Sequence, residues 1–221
     1  MSEPANVAVR PSLHNPKHWP MYLGLAVMVV AGRLPWTLQR AVGRGVGWIA
    51  MRLAGTRRRA AEVNLKLCFP EQDDAWRARL LRDSFDALGV GLFEFARAWW
   101  GSIDVIRPGV QIEGLEHLQQ LQQQKRGVLL VSGHFMTLEM CGRLLCDHVP
   151  LAGMYRRHRN PVFEWAVKRG RLRYATHMFA NEDLRATIKH LKRGGFLWYA
   201  PDQDMRGKDT VFVPFFGHPA S

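Results

Sequence analysis

Gly127-Val128-Leu129-Leu130-Val131-Ser132-Gly133-His134-Phe135-Met136-Thr137-Leu138-Glu139 reads as a strand running into a helix. Val128 to Val131 is a continuous apolar run, the pattern of a strand covered on both faces. Met136 to Cys146 then carry a helix. This spacing puts His134 at the mouth of a sheet and Glu139 in or near the first helical turn, where the helix dipole favours a negative charge. A carboxylate there can hold an imidazole in one tautomer and leave the other ring nitrogen to take a proton from a hydroxyl. The plainer reading of the same spacing is a strand-end histidine bonded to a loop and a first-turn glutamate that serves the helix end.

Two neighbouring chemistries fail on inspection. A serine-hydrolase elbow needs Gly-x-Ser-x-Gly around Ser132, but Leu130 and His134 occupy the glycine positions, so Ser132 is read as structural. A zinc site lacks His-Glu-x-x-His, and Cys141, Cys146 and His148 are not spaced as ligands on one face. Cys141 and Cys146 are expected in a helix core. With Cys68 they make an odd set of three, which argues against a disulfide framework and for a reducing compartment.

Outward from the opening stretch the pattern alternates. A long helix is expected over 72–100, its aromatic end from Phe93 to Trp100 read as core, with a linker over 101–109. A short strand near Val110 to Ile112 follows, then a polar helix over 116–124 whose glutamines form a solvated face. Beyond the opening strand and helix come a strand near Leu151 to Tyr155, a helix over 162–173, a strand near Met178, a helix over 184–192 and a strand from Phe196 to Ala200. Such alternation implies an α/β fold, a largely parallel sheet flanked by helices. Ligands of such sheets gather at the carboxyl ends of the strands, and His134, Arg156, Arg157 and Asp202 all follow predicted strands there. Arg171 and Arg173 lie on the helix after Arg157, where an ordinary solvated face is the competing reading.

The chain carries 31 basic and 19 acidic residues, a net charge of +12 that seeks polyanions such as nucleic acid, anionic lipid, a phosphorylated sugar or an acidic protein. Trp19 to Gly32 is apolar and uncharged, yet shorter than the roughly 20 residues that span a bilayer. Val29-Val30-Ala31 would pass as a signal cleavage site. Against cleavage, Leu34 to Leu53 continues with apolar residues and arginines on a helical period, and the basic residues crowd after the apolar stretch, which keeps the bulk of the chain on the cytoplasmic side. The reading is an uncleaved anchor, a short span or an interfacial helix. For nucleic acid there is no recognised finger, ribonucleoprotein motif or lysine-rich arm.

Several blocks now fall into one order: His18-Trp19-Pro20, Arg33-Leu34-Pro35, Asn64-Leu65-Lys66-Leu67-Cys68-Phe69-Pro70, the His134/Glu139 pair, Tyr155-Arg156-Arg157-His158-Arg159-Asn160-Pro161, Pro201-Asp202-Gln203-Asp204 and Val211-Phe212-Val213-Pro214-Phe215-Phe216-Gly217-His218-Pro219-Ala220-Ser221. In this order they resemble the bacterial lipid A biosynthesis acyltransferases, the late lauroyl and myristoyl transferases, within the glycerolipid acyltransferase superfamily and its His-x-x-x-x-Asp/Glu signature. The resemblance implies transfer of a lauroyl- or myristoyl-type group from acyl carrier protein to a hydroxyl of a lipid A precursor, in lipopolysaccharide biosynthesis at the cytoplasmic side of the bacterial inner membrane. His134 and Glu139 would be catalytic, with Arg156, Arg157, Arg171 (Arg173 being the alternative alignment for the family's arginine) and Asp202 binding substrate and Asp204 fixing its loop. Anionic lipids of that membrane are further implied partners; nucleic acid, a metal and a resident cofactor are not.

Members of that family continue past the Phe-Phe-Gly-x-Pro-Ala block, which is expected to be a loop rimming the active site. The resemblance therefore implies an α/β core incomplete at its C-terminal end. The expected divisions are an anchor over 1–33, a helical membrane-proximal region over 34–108 and the acyltransferase core over 109–221. Two alternatives stand beside this reading: an acyltransferase of the same superfamily with a glycerophospholipid or glycolipid acceptor, and a non-catalytic basic module binding membrane or nucleic acid.

Overall fold

The computed structural model describes residues 10–13, 15–203 and 211–220. It divides into two compact units, one made of 1–33 with 94–201 and the other of 34–93 with 202–221. Each is a discontinuous piece of sequence.

The first unit is the α/β part. Its sheet holds β1 (Val128–Val131), β4 (Phe196–Tyr199), β2 (Leu151–Tyr155) and β3 (His177–Ala180) in that spatial order, every pair parallel. The connections run through α6 (Leu138–Leu145), α7 (Pro161–Arg171) and α8 (Leu184–Lys192), with α5 (Leu115–Gln123) ahead of β1. Two of these helices start on their own sequence signals. Asn160 accepts from the amides of Val162 and Phe163 ahead of Pro161, and Asp183 accepts from the amide of Ala186, which satisfies donors a helix start leaves open.

Period-two alternation decides what each strand touches. Tyr155, Met178 and Ala180 share a core with Met140 and Leu144 of α6 and Val162, Ala166 and Val167 of α7. Ala152, Phe179 and Leu197 face the other way, against Ala186 and Leu191 of α8. The strand expected to be covered on both faces is the exception. β1 lies at the sheet edge; Val128 and Leu130 pack inward, while Leu129 and Val131 are 49% and 68% exposed. An unbroken apolar run cannot distinguish a two-sided strand from an edge strand, since α8 covers β2, β3 and β4 and leaves that flank of β1 open.

α1 (Trp19–Arg33), one turn of 3-10 helix after Asn15, belongs to this unit too. Leu25 joins the main core, and Tyr22 meets Trp165 of α7 edge to face at 6.4 Å. Trp19, Leu23, Val27 and Val30 form an exposed apolar stripe on the same helix. No helix among the described residues is long and apolar enough to cross a membrane.

The second unit holds α2 (Trp36–Leu53), α3 (Gly55–Cys68), most of α4 (Asp74–Trp100) and a hairpin of β5 (Val213–Phe215) and β6 (His218–Ala220). The closing block, expected as a loop, is this antiparallel hairpin. Phe216 and Gly217 both turn through positive φ, 49° and 77°, as a two-residue hairpin turn requires. Its Phe216 ring packs on Phe69 at 5.2 Å, and His218 Nε2 lies 3.2 Å from the Leu67 carbonyl oxygen. Two motif blocks far apart in sequence thus meet.

Three further expectations need correction. Val110 to Ile112 is not a strand; it follows a turn of 3-10 helix at Arg107–Gly109 that Pro108 favours. α6 begins at Leu138 rather than Met136, after a turn in which the Leu138 amide donates to the Phe135 carbonyl at 3.0 Å. Cys141, placed in the helix core by its apolar neighbours, is exposed, whereas half-buried Cys146 has its thiol pushed up to about 12 by desolvation and by Asp147. The glutamines of α5 are exposed as expected.

Candidate active site

The carboxyl ends of β1 and β2 carry the first candidate residues. Parallel pairing continues one residue past β1, where the Ser132 amide donates to the Tyr199 carbonyl at 2.9 Å. The chain then leaves the sheet through Gly133, and His134 is exposed on the loop before α6. Phe135 and Met136 beside it are 72% and 50% exposed. The two residues differ in exposure: His134 is exposed, while Glu139, in the first turn of α6, is buried at 7% exposure.

Glu139 sits at the centre of a polar cluster. Arg171, in the last turn of α7, donates from Nε to Oε1 at 3.0 Å and also from an Nη, a forked contact. Trp99 Nε1 donates to Oε2 at 2.8 Å, and the Tyr174 hydroxyl lies 3.2 Å from the same oxygen. Burial alone would raise the Glu139 pKa, but the charge and hydrogen bonds of Arg171, helped by Trp99 and Tyr174, hold it below the usual carboxylate value. Arg171 is raised in turn, the attraction of Glu139 outweighing the desolvation that would lower it. Tyr174 is pushed well above its ordinary value by burial and by the same carboxylate.

Trp99 is core, fully buried and packed against the tilted Phe95 ring at 4.2 Å, and its indole N–H needs an acceptor there. Its participation was legible only as a buried tryptophan that must bond to something. Gly170 makes the approach possible, since a Cβ at that position would lie 2.5 Å from the Trp99 ring. Arg171 and Arg173 make different contacts. Arg171 holds Glu139, while Arg173 donates to the Trp99 carbonyl at the end of α4, a helix end that also accepts from Arg143 through the Ala98 carbonyl at 2.6 Å.

Arg156 and Arg157 stand exposed on the loop after β2, and Arg157 Nε pairs with Glu182 at 2.7 Å. A second carboxylate braces that loop. Glu164 in the first turn of α7 accepts from the Tyr155 hydroxyl at 2.6 Å and from the His158 amide at 3.0 Å, with Lys168 Nζ at 3.7 Å. Sequence reading passed over Glu164; its place one turn after the Asn160 cap was the available signal. Its pKa is lowered, since those bonds and the nearby cations outweigh desolvation. Asp202 is exposed at the start of the second unit's C-terminal segment, and Asp204 lies outside the described residues.

The sequence also matches known proteins. A family profile described as bacterial lipid A biosynthesis acyltransferase matches residues 7–221. The chain is 38% identical over 205 residues to a lipid A biosynthesis lauroyltransferase of Escherichia coli K12, covering 93% of this chain and 67% of that protein. It is 38% identical over 212 residues to a lipid A biosynthesis acyltransferase of Haemophilus influenzae, covering 95% and 68%. To a palmitoleoyltransferase of the same pathway in Escherichia coli K12 it is 36% identical over 207 residues, covering 94% and 67%. The match runs through both structural units and includes every candidate residue above, so the chain belongs to the bacterial lipid A biosynthesis acyltransferase family.

Proposed function

We propose that the protein transfers a lauroyl- or myristoyl-type group from acyl carrier protein to a hydroxyl of a lipid A precursor, with His134 as general base. The observation that carries this reading is an exposed histidine at the carboxyl end of β1 in a chain of this acyltransferase family. The imidazole takes the proton of the acceptor hydroxyl as its oxygen attacks the thioester carbonyl carbon. The C–S bond then breaks, and the proton passes to the departing thiolate, leaving a new ester and a free carrier thiol. Glu139 supports the histidine from the start of α6, with Arg171 keeping the carboxylate ionised.

Arg156 and Arg157 supply forked donors for the phosphates of the acceptor or for charge at the reacting carbonyl. Phe135 and Met136 give the acyl chain an apolar surface beside His134. The net positive charge suits an acidic carrier protein and the anionic leaflet of the inner membrane, on whose cytoplasmic side the reaction is placed. α1, 15 residues long and thus about 22 Å, is shorter than the roughly 30 Å hydrocarbon core and serves as an interfacial anchor through its exposed apolar stripe.

Mass spectrometry of lipid A, after expression of the full-length gene in a strain lacking its late acyltransferases, tests the reaction. One added acyl chain is expected, and its mass reports the chain length. His134→Ala should lower turnover by roughly 10² to 10⁴ with unchanged thermal stability. A soluble, folded His134→Ala enzyme with wild-type turnover would remove the histidine from the mechanism.

A further inference from the structure

α2 presents an exposed face that takes no part in the site described above. Within the second unit its inner face is held at backbone distance from α4. A Cβ on Gly89 would fall 2.0 Å from the Gly43 carbonyl oxygen, and one on Gly47 would fall 2.2 Å from the Phe85 carbonyl oxygen. Gly43-x-x-x-Gly47 thus meets Gly89 with no side chain between the helices, and Gln39, Gly43 and Gly47 are buried. A contact this close fixes the rotation of α2 about its own axis.

With that rotation fixed, Leu38, Val42, Ile49 and Leu53 recur at helical spacing along one outward flank of the helix, and all are exposed. Trp48 is exposed at the margin of the stripe, with the Arg52 guanidinium 3.6 Å from its ring centroid. From Leu34 to Ala61 the sequence carries Arg40, Arg44, Arg52, Arg57, Arg58 and Arg59 and no acidic residue. An apolar stripe edged by tryptophan and arginine, with no negative charge, complements a surface that is apolar within and anionic at its rim. A second copy of this chain would meet that margin with the same positive charge.

We propose that the outer face of α2 is a docking surface for an anionic phospholipid bilayer, with Leu38, Val42, Ile49 and Leu53 entering the acyl boundary and Trp48 and Arg52 at the level of the phosphates. This deepens the membrane reading given above for the enzyme, and it assigns the lipid contact of the second unit to that unit's own helix.

The test is flotation of the purified full-length protein with phosphatidylcholine vesicles that carry or lack phosphatidylglycerol, with no acyl donor or acceptor present. The Ile49→Glu/Leu53→Glu double variant should bind anionic vesicles about tenfold more weakly or worse, since it places charge in the apolar boundary. Arg52→Gln should weaken binding roughly fivefold on anionic vesicles and leave binding to pure phosphatidylcholine unaltered. Vesicles brominated on their acyl chains should quench part of the tryptophan emission, and Trp48→Phe should remove a resolvable share of that quenching. Wild-type binding by the double variant, or unaltered quenching in Trp48→Phe, overturns the proposal. So does a dimer in sedimentation that the double variant dissociates, which would give the face to a second copy. Acyl transfer by the wild-type enzyme in detergent micelles is measured alongside. Its absence speaks against the proposed reaction and leaves the vesicle result standing on its own.

Discussion

Both ends of α7 are held by a carboxylate, and the two grips differ in kind. At the C-terminal end Arg171 meets Glu139 inside the core, with Trp99 and Tyr174 completing the cluster. At the N-terminal end Glu164 accepts from a tyrosine hydroxyl and a backbone amide, and its cation, Lys168, stands 3.7 Å away. The first grip depends on opposite charges taken out of water together, so neither partner has a neutral substitute. The second is mainly a set of hydrogen bonds that a neutral acceptor can partly reproduce. Removing one member of a buried pair strands the other, whereas exchanging a partly solvated acceptor for its isostere loses only a fraction of a bond network.

The sharpest test of that contrast is Glu139→Gln. It leaves Arg171 charged, buried and facing an amide that can offer donors where oxygens were, and should cost about 3 to 5 kcal/mol in denaturant unfolding. Turnover should fall with it if Glu139 supports His134. The cost should also depend on pH. Because the folded pKa of Glu139 is depressed, its stabilisation is complete above the ordinary glutamate value of about 4.3 and is lost as pH falls through the folded value. Glu164 shifts in the same direction but is present in both proteins and cancels from their difference. Wild type and Glu139→Gln should therefore differ by a constant amount from neutral pH down to about 5, then converge in more acid solution. A gap that persists undiminished into strong acid would mean that packing, not charge, sets the cost.

Arg171→Lys comes next. It keeps the charge but cannot reproduce the fork on Glu139, and should lose about 1.5 to 3 kcal/mol together with a clear drop in acyl transfer. Arg173→Lys is the internal comparison, since a lysine can still donate to the Trp99 carbonyl. If Arg173→Lys is the more damaging, the cluster does not depend on the forked pair.

Glu164→Gln should be milder, about 0.5 to 1.5 kcal/mol, because the amide oxygen can still accept from Tyr155 or from the His158 amide. Any functional effect should appear in the KM for the acceptor more than in kcat, because Glu164 touches the loop that carries Arg156 and Arg157. An equal fall in kcat would place Glu164 closer to the chemistry than its contacts with Tyr155 and His158 do.

These contrasts also separate what was legible in the sequence from what was not. α8 and the strands around it follow apolar periodicity and turn residues, which are local, and they stand where the pattern puts them. The acidic half of the motif was visible at Glu139, yet its partners Trp99, Arg171 and Tyr174 lie 40, 32 and 35 residues away, distances over which no spacing rule operates. The exposure of Leu129 and Val131 escaped for a related reason. Burial of a strand depends on its place in the sheet, and strand order follows from the crossovers, not from the strand's own residues. The Gly43-x-x-x-Gly47 contact was in plain sight as a spacing, but it acquires meaning only once Gly89 is known to face it. Joining of the Phe69 block to the Phe216 hairpin is likewise a tertiary fact.

At the bottom of the scale stands Arg58→Lys. Arg58 Nε pairs with Glu62 at 3.3 Å on the surface of α3, both side chains well exposed, an arrangement whose net worth is about 0.5 kcal/mol or less. Lysine keeps the charge and can meet Glu62 one turn away, so stability should move by no more than that amount and vesicle binding should hold, since diffuse attraction to anionic lipid counts charge rather than geometry. Acyl transfer should be unchanged when measured at fixed salt and saturating donor, conditions that keep carrier docking from masking an acceptor effect. The comparison with Arg171→Lys is then between the same chemical change at a solvated pair and at a buried one. If the two variants lose activity to the same degree, guanidinium itself matters wherever it stands, and the distinction between the core grip of Glu139 and an ordinary surface pair collapses.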